Sequence, residues 1–144
     1  MSTTQDSGIA YEDFKVPVKL KLSALWTSVM FCYIYGDIFT LQVPGHLDKL
    51  IAGTLWNGGP VTQGLLLSFA IYMTIPILMV FLSLTLRPAI NRWTNIVAGG
   101  LAAIGPLLIV WGSWHFYILI TIVEMALTLL IVWYAWKWPR QTQA

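Results

Sequence analysis

Two carboxylic acids stand inside stretches that are otherwise apolar. Asp37 lies in the run from about Leu20 to Val43, and Glu124 in the run from about Phe116 to Trp136. An ionisable side chain in an apolar helix costs roughly 2.5–3.5 kcal/mol near the centre of a bilayer, so such residues usually face a partner, a cavity or a functional task. Each acid has polar company at helical spacing. Tyr33 precedes Asp37 by four residues and Thr40 follows it by three; Thr121 precedes Glu124 by three and Thr128 follows it by four. Those intervals put the side chains on one face of a helix. A carboxyl withdrawn from water without a counter-ion tends to keep a proton, and two close together cannot both ionise cheaply. The chemistry on offer is proton exchange, or capture of a cationic group brought by a ligand. The competing reading is structural: buried polar groups also lock helices together by hydrogen bonds.

His46, His115 and Tyr117 fall near the same ends of their runs and form a candidate outer rim. Two His and two carboxylates without ligand-type spacing do not make a metal site. No catalytic residue is assigned, because the chain has no phosphate loop, no His-Glu-x-x-His and no Gly-x-Ser-x-Gly. Cys32 is the only cysteine, which excludes an intrachain disulfide and leaves a small apolar side chain. Nothing points to a particular cofactor. Nucleic acid is excluded as a partner by the lack of a basic stripe beyond the ends of the apolar runs.

The elements that hold these residues follow from composition. Apolar residues make up 58% of the 144 and charged ones 10%; soluble domains carry about 25% charged residues, so this surface suits lipid better than water. Crossing ~30 Å of hydrocarbon takes roughly 20 mostly apolar residues in a helix. Four segments qualify: about Leu20 to Val43, Thr62 to Leu86, Trp93 to Trp111 and Phe116 to Trp136. Pro44-Gly45, Asn57-Gly58-Gly59-Pro60, Arg87-Pro88 and Gly112-Ser113 punctuate them. The chain then divides into a polar N-terminal segment 1–19 (with Asp6, Glu12 and Asp13 and no signal-peptide pattern), a transmembrane domain 20–138 and a tail 139–144. At about 1.5 Å per residue, Asp37 lies about 9 Å and Glu124 about 12 Å below the same outer side. The first and last helices of a closed bundle are neighbours, so the two acids are expected to point inward and meet.

Orientation follows from the bases. Lys15, Lys19, Lys21, Arg87, Arg92, Lys137 and Arg140 share one side and only Lys49 lies on the other, which places both termini in the cytoplasm. Trp93, Trp111, Trp114, Trp136 and Trp138 stand at segment ends, where amphipathic rings prefer the interface. Leu47, Leu50, Ile51 and Leu55 recur at helical spacing, predicting a short amphipathic surface helix that serves as connector or lid. Pro76 and Gly105-Pro106 interrupt the second and third helices. Ala98, Gly99, Gly100, Ala102 and Ala103 give the third a small-residue face for close packing, within the chain or in a dimer. The expected fold is all-α: an integral membrane four-helix up-down-up-down bundle, both termini cytoplasmic, with a short amphipathic helix between helices one and two.

Several stretches carry a resemblance: Lys21-Leu-Ser-Ala-Leu-Trp26, Tyr33-Ile-Tyr-Gly-Asp37, Ser83-Leu-Thr-Leu-Arg-Pro88 with Asn91-Arg92-Trp93, and Ile131-Val-Trp-Tyr-Ala-Trp-Lys-Trp-Pro139. Together they resemble a family of small bacterial and archaeal four-helix membrane proteins catalogued only as a domain of unknown function. That resemblance implies a multi-pass protein of the prokaryotic cytoplasmic (inner) membrane and brings no activity or ligand. A looser likeness to DoxX-like proteins rests on architecture alone.

Three functions remain open from sequence. The first is a non-enzymatic membrane protein with an intramembrane carboxyl pocket for a small ligand or for proton handling. The second is an accessory or structural subunit of a larger membrane complex, and the third a redox or quinone-linked membrane protein. Membrane lipids are the expected surroundings, with a homo-oligomer or a larger complex both open. The topology has a direct check. A reporter fused at the C-terminus should signal cytoplasm and one fused near Asn57 the outside; a cytoplasmic signal at Asn57 removes the four-span scheme.

Overall fold

The computed structural model describes residues 14–55 and 57–138. Residues 1–13 of the polar N-terminal segment, with Asp6, Glu12 and Asp13, and the tail 139–144, with Arg140, lie outside the described residues. The described chain is helical: α1 Val18–Leu41, α2 His46–Ile51, α3 Gln63–Thr85, α4 Pro88–Ile109 and α5 His115–Trp136. α1, α3 and α5 are long and apolar enough to cross a membrane, which marks the chain as a membrane protein by length and composition. α4, at 22 residues, has the length but not the apolarity, because it carries Asn91, Arg92 and Asn95 among its Gly and Ala.

Local chemistry sets the boundaries. α1 runs out before Gly45, whose φ of 75° reverses the chain. The Thr62 hydroxyl caps α3 by accepting from the Leu65 N–H at 3.2 Å. Leu86 and Arg87 are extended, and Pro88 opens α4. Sequence spacing expects this helix to begin near Trp93. It begins five residues earlier because Pro suits the first helical turn, where its missing N–H costs nothing. Asn91 and Arg92 therefore sit on the helix rather than in a turn. α2 ends at Ile51, short of the 46–55 stretch expected for the surface helix. Gly53 turns back with φ 75°, and its carbonyl accepts from the Val61 N–H at 2.8 Å, closing a compact loop.

Side-chain pairs fix the order of the helices. α1 packs against α3 and α5, and α4 against α5 and α3. The Lys19 ammonium donates to the carbonyls of Leu84 at 3.2 Å and Leu86 at 2.7 Å, tying the start of α1 to the end of α3. A Cβ on Gly36 would meet Ile120, and one on Gly105 would meet the Tyr72 hydroxyl. Each neighbouring pair is thus antiparallel, as short connections require.

Burial is inverted relative to a soluble domain. Leu22, Trp26, Val29, Met79 and Ile131 share the interior with Ser83, Asn91, Asn95, Thr121, Glu124 and Thr128. Leu67, Ile71, Phe81, Val97, Leu119 and Leu129 stand outward and exposed. Polar groups turn inward and large apolar ones outward where the surroundings offer no hydrogen bonds. Gly99 allows α4 and α5 their close approach: a Cβ there would lie 3.0 Å from Val132 Cγ2 and 3.3 Å from Ile131 Cγ2. Gly100 has nothing within 4 Å. Gly99→Val should therefore lower stability by about 1–3 kcal/mol through overpacking, read from thermal unfolding in detergent. Gly100→Val should leave it nearly unchanged, and equal effects would refute this packing.

Candidate functional site

Polar residues in the interior form two clusters with opposite characters. The first lies toward the end that holds the start of α1 and the α3–α4 turn. Asn95 Oδ1 accepts from Trp26 Nε1 at 2.8 Å and from Ser83 Oγ at 3.2 Å. Its amide nitrogen donates to Asn91 Oδ1 at 2.6 Å and to the Asn91 carbonyl at 2.9 Å, while Asn91 Nδ2 donates to the Ser83 carbonyl at 2.6 Å. Ser23 Oγ adds a bond to the Val80 carbonyl at 2.8 Å. Trp26, Ser83, Asn91 and Asn95 are all fully buried. A satisfied network of this kind locks α1, α3 and α4 in register.

The second cluster lies toward the α2 end. Glu124 is 4% exposed and its Oε1 has no hydrogen-bond partner. The hydroxyls of Tyr33 and Tyr72 are buried and equally without a partner. Tyr33 interacts with both Glu124 and Tyr72, and the Tyr72 hydroxyl rests where a Cβ of Gly105 would fall, 2.6 Å away. All four long helices thus contribute: Tyr33 from α1, Tyr72 from α3, Gly105 from α4 and Glu124 from α5. Pro76 and Pro106 stand within α3 and α4 near this level. Each lacks the N–H that would bond the carbonyl four residues earlier, at Tyr72 and Ala102. Buried polar side chains are normally satisfied, so three unpartnered groups converging on one spot set this cluster apart.

A cavity of about 670 Å³ opens at the same end, within the roughly 300–1,000 Å³ common for small-molecule sites. Asp37, Thr40, His46, Lys49 and Tyr117 line it. Asp37 is exposed toward this space. Tyr117, which lines the cavity, also lies within electrostatic reach of Asp37, Glu124 and Tyr72.

The residues singled out by sequence are thereby placed. Tyr33 and Glu124 come together. Asp37, Thr40, His46 and Tyr117 share the cavity, with the Thr40 hydroxyl bound to the Gly36 carbonyl of its own helix at 2.7 Å. No hydrogen bond joins Asp37 to Glu124 among the described residues. Thr121 is buried one turn from Glu124. Thr128 turns its hydroxyl to the carbonyls of Glu124 at 2.9 Å and Met125 at 3.0 Å, on its own helix. His115 is exposed and does not line the cavity. Sequence reasoning missed Tyr72, Trp26, Ser83 and Asn95. Two of these left a trace: Asn91 and Asn95 stand four apart, on one helix face, and Trp26 lies too deep in α1 for an interfacial ring.

A family model described as a family of unknown function (DUF6326) matches residues 12–144. The chain belongs to this family. No curated protein and no solved structure matches the chain. The DoxX-like likeness accordingly finds no support, whereas an uncharacterised family is what the quoted stretches implied. In this DUF6326 member the family assignment brings no residue roles, so the site rests on geometry. The satisfied network has its own test. Asn95→Leu should destabilise by about 1–3 kcal/mol, because it strands the donors of Trp26 and Ser83. Combining it with Trp26→Phe should cost less than the sum of the two single changes in a double-mutant cycle; strict additivity would refute the bond.

Proposed function

We propose that this protein is a non-enzymatic, four-span bundle of the prokaryotic cytoplasmic membrane, whose outer half handles protons through Glu124 and admits a small ligand at Asp37. The orientation is supported by the bases: among the described residues, Lys15, Lys19, Lys21, Arg87, Arg92 and Lys137 gather at one end and Lys49 lies at the α2 end. At the basic end Arg92 and Lys137 lie over aromatic faces. Lys137 Nζ lies 4.0 Å from the Trp133 ring centre, and Arg92 Cζ 5.5 Å from that of Trp93 and 5.6 Å from that of Trp136, as side chains do at a membrane interface. α4 serves as the fourth span because its Asn91 and Asn95 are turned inward and satisfied, which removes most of the cost of their polarity.

The observation that carries the reading is Glu124, buried with a partnerless oxygen beside two partnerless phenols. Among the described residues, no Lys or Arg is paired with Glu124. A proton is the smallest group that can balance it, and phenols can donate to the charged form or accept from the neutral one. Tyr117 and Asp37 extend the polar groups outward to the cavity, so a proton has hydroxyl and carboxyl stations between the core and the outer face.

Glu124→Gln keeps the volume and the hydrogen-bonding capacity of the side chain, so it should fold as the parent does. Difference infrared spectra across a pH titration in liposomes should show a carboxylic-acid band that this variant lacks. Tyr33→Phe should shift that band without abolishing it. A spectrum unchanged in Glu124→Gln overturns proton handling at this site.

A further inference from the structure

We propose that the cavity at the α2 end binds an organic cation: an ammonium or other onium group on an apolar body. The inference deepens the proposed function by naming the ligand class, and it rests on that reading for access to the cavity from outside.

The walls carry the argument. Phe69, Trp111, Trp114, Phe116 and Tyr117 line the cavity from α3, the α4–α5 turn and α5. The rings of Phe39, Phe116 and Tyr117 form an edge-to-face chain, with centres 6.0 Å and 6.4 Å apart. Aromatic faces attract cations and apolar bodies alike. Asp37 is the only acid among the described lining residues, and its carboxyl supplies the opposite charge.

A small hydrated metal ion would gain Asp37 at the cost of its water shell, with little use for aromatic walls, and no cluster of three His, Cys, Asp or Glu among the described residues could hold it. An organic cation gains from the walls as well as from Asp37. A bare hydrocarbon would gain the walls but leave Asp37 without its water or a partner, which is costly. Charge and apolar body together fit the site; either alone does not.

Tetraphenylphosphonium and tetraphenylborate have nearly the same shape and opposite charge, and so isolate the electrostatic part. Binding of each to the full chain in nanodiscs is measured by titration calorimetry against empty nanodiscs. The phosphonium should bind saturably and the borate should show no saturable binding above the empty discs. Asp37→Asn should weaken phosphonium binding at least tenfold, Asp37→Glu should retain most of it, and Trp114→Ala should weaken it severalfold. Saturable borate binding as tight as that of the phosphonium, no saturable phosphonium binding, or equal affinity in Asp37→Asn overturns the proposal. The comparison of the two ions on the parent chain stands even if a variant fails to fold. The Glu124 infrared band is a separate readout. Its presence with no phosphonium binding sinks the organic-cation site alone. Asp37-dependent binding with no such band sinks proton handling alone.

Discussion

Asn95 Oδ1 accepts hydrogen bonds from α1 and α3 at once, and the rest of the helix arrangement depends on that shared acceptor. Trp26 reaches it from α1 and Ser83 from α3, while the Asn95 amide holds Asn91 one turn earlier. Helices surrounded by lipid gain little from pushing apolar surfaces together, since the tails outside are as apolar as the core. Hydrogen bonds and close packing must set the register instead. One asparagine that satisfies a tryptophan, a serine and a second asparagine fixes rotation and height for three helices. Gly99 then brings α5 against α4 by close packing.

With one half of the interior closed in this way, the other half is free to remain unsatisfied. Glu124, Tyr33 and Tyr72 meet where α3 and α4 are interrupted by proline and where Gly105 yields room for a hydroxyl. A buried carboxyl with a partnerless oxygen is expensive, and a fold tolerates it when the neighbouring packing is firm. The contrast runs along the helix axis: a locked layer of amides and an indole at one level, then a layer of carboxyl and phenols with partnerless oxygens. Beyond that, a cavity walled by aromatic rings opens toward the α2 end.

The short loop after α1 shapes that opening. α2 is a turn and a half of helix, cut off by Gly53 and folded back through the Gly53–Val61 and Leu55–Gly59 backbone bonds. Leu50 and Leu55 face the cavity while Leu47 and Ile51 stand exposed, so the apolar stripe read from sequence serves two surfaces. His46 and Lys49 reach the cavity from the same element, which gives its mouth a polar margin.

The sequence by itself determined that the chain is helical and apolar, where its turns fall, and that Asp37 and Glu124 were the unusual residues. Those properties depend on neighbours within a few positions: runs of apolar side chains, Pro and Gly at breaks, and acids at helical spacing from hydroxyls. Even there, Pro88 moved one boundary, because a proline that ends one helix also opens the next. Only the tertiary structure decided which polar residues meet. Tyr72, Ser83 and Asn95 read as ordinary members of their helices, and their roles depend on the rotation of each helix about its axis. That rotation is set by contacts between residues as far apart as Trp26 and Asn95, or Tyr72 and Gly105. In apolar helices of this kind, the inward and outward faces are both hydrophobic, so periodicity carries little trace of which face is which.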